Sequence, residues 1–75
     1  MITVLLFGKL VDIAGASLTM DNVKTTDELL QQLRLQYPLL AAEKFIIAVD
    51  KKTIATNTSL TDNSTVALLP PFSGG

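Results

Sequence analysis

The stretch Thr25-Thr26-Asp27-Glu28-Leu29-Leu30-Gln31-Gln32-Leu33-Arg34-Leu35-Gln36-Tyr37-Pro38 decides the fold. Thr25 followed three residues later by Glu28 makes a capping box, in which each residue answers an orphan backbone N–H at a helix start. Asp27 adds negative charge to the first turn, where the helix dipole favours it. Leu29, Leu30, Leu33 and Tyr37 recur at helical spacing on one face, while Gln31, Gln32 and Arg34 take the other. Pro38 ends the run, since it has no N–H to continue the ladder. One amphipathic helix is expected mid-chain, with a single stripe to bury.

On both sides of it the period shortens to that of strands. In residues 2–7, Ile2, Val4 and Leu6 fall on one face and Thr3, Leu5 and Phe7 on the other. Gly8 ends that run, and Ser17 to Val23 reads as a second strand, so the pair resembles a hairpin with a long connection. After the helix, Phe45 to Val49 is a continuous apolar strand, Asp50-Lys51-Lys52 a turn, and Thr53 to Ala55 an antiparallel return. Asn57 to Asn63 is turn chemistry with Leu60 as anchor. Thr65 to Leu69 is the last strand, with Val66 and Leu68 inward and Ala67 and Leu69 outward. Two strand pairs separated by one helix predict an α+β fold: a mixed sheet of four to five strands packed on one main helix, the β-grasp or ubiquitin-like arrangement. Residues 1–69 are expected to form one domain and 70–75 an extended tail. The helix covers one sheet face only. Leu5, Phe7 and Leu69 fall on the other, where they are expected to meet a partner.

Composition narrows the chemistry. The chain has 75 residues, 48% of them hydrophobic and 17% charged, against about 25% charged in a typical domain. Mean hydropathy is +0.41. Six basic and seven acidic side chains leave no basic stripe for nucleic acid, and Lys51-Lys52 is the one adjacent basic pair. The longest apolar run, Phe45 to Val49, is far short of the roughly 20 residues that span a bilayer. The first residues carry no basic-then-apolar leader pattern, so a cytoplasmic location is expected. Without cysteine or histidine there is no thiolate or imidazole metal site, and no imidazole base to activate a hydroxyl. The carboxylates sit near turns and the helix start, where capping and solvation explain them. The body of the chain is expected to be non-catalytic on its own.

The reactive group is sought at the end instead. Pro70 and Pro71 cannot donate to a sheet and stiffen the exit into a polyproline-like arm. Phe72, Ser73, Gly74 and Gly75 follow, so that six extended residues reach about 20 Å. Two residues without side chains suit entry into a narrow tunnel. What would arrive there is an α-carboxylate, ionised above about pH 3.5 and a poor electrophile until another enzyme activates it, most simply as an acyl-adenylate.

Taken together, Val4-Leu5-Leu6-Phe7 and the ending Val66-Ala67-Leu68-Leu69-Pro70-Pro71-Phe72-Ser73-Gly74-Gly75 resemble the MoaD family, the sulfur-carrying small subunits of molybdopterin synthase. The sequence departs from that family's pattern at Val11-Asp12, Asp50 and Ser64. The resemblance implies that an E1-like partner uses ATP to adenylate Gly75, and that a sulfur donor then leaves a thiocarboxylate there. It also implies that Pro70 to Gly74 thread into the large catalytic subunit, where sulfur passes to a pterin precursor. Phe7 and Leu69 would lie at partner interfaces in a heterotetramer. No cofactor would be held permanently, because the sulfur travels covalently on Gly75. The alternatives are a carrier for thiamine, tRNA thiolation or a tungsten-pterin route, or a ubiquitin-like modifier.

Overall fold

The computed structural model describes residues 1–71. Strand β1 (Ile2–Leu6) leads into a 3-10 turn (Gly8–Leu10), the short helix α1 (Val11–Ala14) and strand β2 (Ser17–Met20). Helix α2 (Thr26–Gln36) runs straight into a second 3-10 segment (Pro38–Ala42), followed by strands β3 (Ile46–Val49), β4 (Lys52–Ile54) and β5 (Thr65–Leu69). The five strands form one mixed sheet in the order β2-β1-β5-β3-β4. β1 and β5 pair in parallel, and the remaining neighbours are antiparallel. This is the β-grasp fold anticipated from the strand and helix order.

The helix begins where the sequence places it, with one adjustment. The Thr25 hydroxyl accepts from Glu28 N–H at 3.3 Å, but the Glu28 carboxylate accepts from Lys24 N–H at 2.8 Å and not from Thr25. A remote residue completes the cap: Asn57 Oδ1 accepts from Asp27 N–H at 2.9 Å. The buried Thr26 hydroxyl accepts from Thr58 N–H at 2.9 Å, which ties the loop before β5 to the start of α2. These bonds answer backbone groups that burial would otherwise leave unpaired.

The core lies between α2 and one face of the sheet. Val4, Leu10, Leu29, Leu40, Val66 and Leu68 are fully buried, with Ile2, Leu6 and Leu33 nearly so. Each such aliphatic side chain contributes about 1.5–3 kcal/mol relative to exposure. The connection between β1 and β2 departs from the expected plain hairpin link. It is built from the 3-10 turn and α1, and it drives Leu10 into the core. Its helix is four residues long, too short to display a period in the sequence. The second strand also ends at Met20, so Val23 is buried from a loop and not from the sheet.

Candidate functional site

Strand alternation and register define the face that α2 leaves open. Leu5 lies beside Ala67 on the parallel partner, Ala48 opposite Ala67, and Ile46 opposite Leu69. Residues directly across a ladder share a face, and Val4, Leu6, Val66 and Leu68 are inside. Leu5, Ala67, Leu69, Ile46 and Ala48 therefore share the face away from α2, the small Ala48 side chain lying buried there. Phe7 continues the extended backbone of β1 (φ −132°, ψ 161°) and is 42% exposed. The structure thus places Leu5, Phe7 and Leu69 on the uncovered face. It adds Ile46 and Ala48, which the sequence reading did not single out. The signal was present: an unbroken apolar run such as 45–49 leaves both faces of its strand apolar.

Leu5, Phe7, Thr65 and Ala67 line a groove of about 370 Å³ together with Asp50 and Lys51. The last two form the β3–β4 turn, and both have positive φ, 48° and 73°, as the two-residue hairpin turn of type I′ requires. Asp50 extends the ladder to β5. Its N–H donates to Thr65 O at 2.8 Å, and its carboxylate accepts from Thr65 N–H at 2.9 Å. The start of β5 is held from both sides of that turn.

The far end of β5 is held just as closely. Phe7 N–H donates to Leu68 O at 3.2 Å, which brings the next residue, Gly8, against the tail's base. Gly8 has φ +59°, and a Cβ there would sit 2.6 Å from Pro70 Cγ. Both the backbone conformation and the space exclude a side chain. Sequence reading treated Gly8 as the end of a strand; its role against Pro70 is visible only once β1 and β5 are side by side. Pro70 is half-buried and Pro71 exposed. The expectations for Phe72, Ser73, Gly74 and Gly75 lie outside the described residues. Among the described residues, no cluster of His, Cys, Asp or Glu could hold a metal ion, and no helix is long and apolar enough to cross a membrane.

The exposed ring of Phe7 can be tested separately from the core. Phe7→Ser is expected to leave the unfolding temperature within a few degrees of the parent, since the ring adds little to the interior. Binding of a protein that covers this face should weaken by about tenfold or more, as for a truncated aromatic anchor. Calorimetric unfolding beside titration calorimetry reads both quantities. A collapse of stability would instead make Phe7 a core residue.

A model described as the ThiS family matches residues 4–75. Small archaeal modifier protein 1 from Methanosarcina acetivorans superposes with a TM-score of 0.84 at 23% identity, covering 99% of this chain and 95% of that one. A putative molybdopterin converting factor subunit 1 from Pyrococcus furiosus gives 0.80 at 17% identity, covering 93% and 95%. A chain in the complex of subunits 1 and 2 of molybdopterin-converting factor from Helicobacter pylori gives 0.74 at 27% identity, covering 99% and 97%.

Proposed function

The chain belongs to the ThiS family of sulfur carriers and ubiquitin-like modifiers, and we propose that it is the sulfur-carrying small subunit of a molybdopterin synthase. The observation that carries the proposal is the position of β5. It is central in the sheet, flanked by β1 and β3, and it runs out through Leu69, Pro70 and Pro71 beside the uncovered apolar face. A partner seated on Leu5, Phe7, Ala67 and Leu69 would receive the residues after Pro71 directly. The likeness to a chain of a two-subunit converting factor, and to a subunit 1 of such a factor, supports a large-subunit partner of that kind.

In this reading the domain presents and other proteins react. An E1-like enzyme directs the Gly75 carboxylate at the α-phosphorus of ATP, and pyrophosphate leaves. A sulfur nucleophile then displaces AMP from the carbonyl carbon, producing a thiocarboxylate. The tail, Pro70 to Gly74, carries that group into the large subunit, where a pterin precursor takes the sulfur. Stiff prolines lower the entropy lost when the tail is threaded, and glycines at 74 and 75 let the backbone pass a narrow channel.

Co-expression with an adenylating enzyme and a sulfur source, followed by intact-mass measurement, is the direct test. The expected result is a mass gain of one oxygen-to-sulfur exchange, localised to Gly75, together with co-purification of a pterin-dithiolene synthase large subunit. Co-purification of a thiazole synthase would move the carrier to another pathway. The likeness to an archaeal modifier protein favours a second reading, attachment to lysines. An isopeptide bond at Gly75 with no thiocarboxylate would establish it.

A further inference from the structure

The strand residues that share the open face by register are Ser17, Thr19, Thr3, Leu5, Thr65, Ala67, Leu69, Ile46, Ala48 and Thr53. None of them is charged. The charges lining the groove come from the β3–β4 turn alone, as Asp50 and Lys51. The Asp50 carboxylate is occupied by Thr65 N–H. Lys51 takes part in neither of the two ion pairs formed among the described residues, which join Met1 to Asp21 and Lys9 to Glu43. The groove is therefore apolar along β1 and β5 and ends in two adjacent charges, a carboxylate already engaged by Thr65 N–H and an ammonium that has no ion-pair partner among the described residues.

The backbone under that charge is costly. Lys51 has φ 73°, a left-handed conformation that disfavours an L-residue by roughly 1–2 kcal/mol. Glycine or asparagine is the usual occupant of this turn position, and Asp-Gly would satisfy the hairpin equally well. A side chain kept in a strained turn, lining the groove and without an ion-pair partner among the described residues, fits an interaction outside the domain better than one inside it.

Resting on the functional reading above, we propose that Lys51 is the electrostatic rim of the docking face, and that the partner's matching surface is apolar at its centre with a carboxylate opposite Lys51. A rim charge of this kind acts chiefly on association rate and salt dependence. It also sets orientation: an apolar patch alone is non-directional, whereas an ammonium free to pair at the turn end of the groove distinguishes that end from the other for a partner lying over β5.

The test uses the full chain and the large subunit of molybdopterin synthase as the probe, with Kd and association rate measured across a salt series. The parent should bind more weakly as salt rises. Lys51→Glu should weaken binding about tenfold or more at low salt, because it places like charges together. Lys51→Gly should flatten the salt dependence while its unfolding temperature stays level or rises. That opposition of signs is the signature: a merely structural lysine would lower stability and binding together. Parent binding that does not respond to salt, or Lys51→Glu binding as tightly as the parent, overturns the rim assignment. Failure of the parent to bind the large subunit at all overturns the functional reading, and this inference with it.

Discussion

Deletion of Gly75 is expected to abolish sulfur transfer completely while changing folding stability by less than about 0.5 kcal/mol, the ordinary range for a site away from packed groups. Among the described residues the buried core is drawn from Ile2 to Leu68, and the deletion leaves all of these in place. What is lost is the carboxylate proposed to be adenylated and to take the sulfur, at the right number of residues beyond Pro71. A truncated chain would offer Gly74 as its carboxylate, one residue and about 3.5 Å short. A bulky side chain at Gly74 should act alike, by obstructing entry and not by shortening reach. Product assays, intact mass and thermal unfolding on the same preparations check the pair of claims. A drop of several degrees in unfolding temperature would show that the tail is structural.

Gly8→Ala is the second large effect. The substitution puts a Cβ at φ +59°, 2.6 Å from Pro70 Cγ, and a ring at that distance must move as a unit. Left-handed strain of about 1–2 kcal/mol adds to overpacking of about 1–3 kcal/mol, so a loss of about 2–5 kcal/mol is expected in urea unfolding. Gly15 provides the contrast. It has φ +87° but open space where a Cβ would stand, so Gly15→Ala meets backbone strain alone. Pro70→Ala removes the ring atoms in the way, and should recover part of the loss from Gly8→Ala but none of that from Gly15→Ala. A double-mutant cycle measures this coupling. Additivity of Gly8→Ala and Pro70→Ala would show that the contact carries no energy.

These effects also mark where sequence reasoning stopped. Thr25, Glu28 and the leucine stripe announce α2 because a cap and a helical period are local properties. The two faces of β1 and β5 were equally legible, since alternation is read within one strand. The Gly8–Pro70 contact joins residues at opposite ends of the chain, and although a mixed sheet is expected, no local pattern says which strands pair in parallel. The Asn57 cap on α2 is a contact of the same kind, across 30 residues. Ile46 and Ala48 were hidden for another reason: a strand apolar on both faces does not say which residues look outward until its register is known. Arg34, read as belonging to a polar helix face, has its guanidinium 5.7 Å from the ring centre of Phe45. That places a cation over an aromatic face, an attraction no local pattern announces.

The parallel pairing of β1 with β5 has a consequence for how the protein is made. Neither the first strand nor β3 has its central neighbour until residues 65–69 exist. On the ribosome, the first sixty or so residues (roughly four-fifths of this sequence) emerge with their sheet still open and their long-range contacts unformed, a topology that delays folding. The strand that closes the sheet is also the one that carries the tail. A nascent or damaged chain with β5 unseated therefore cannot hold Leu69 and Pro70 in place beside the docking face. Under the proposed carrier role, correct folding would act as an admission check for loading, because the same five residues that complete the interior lead directly into Pro70 and Pro71.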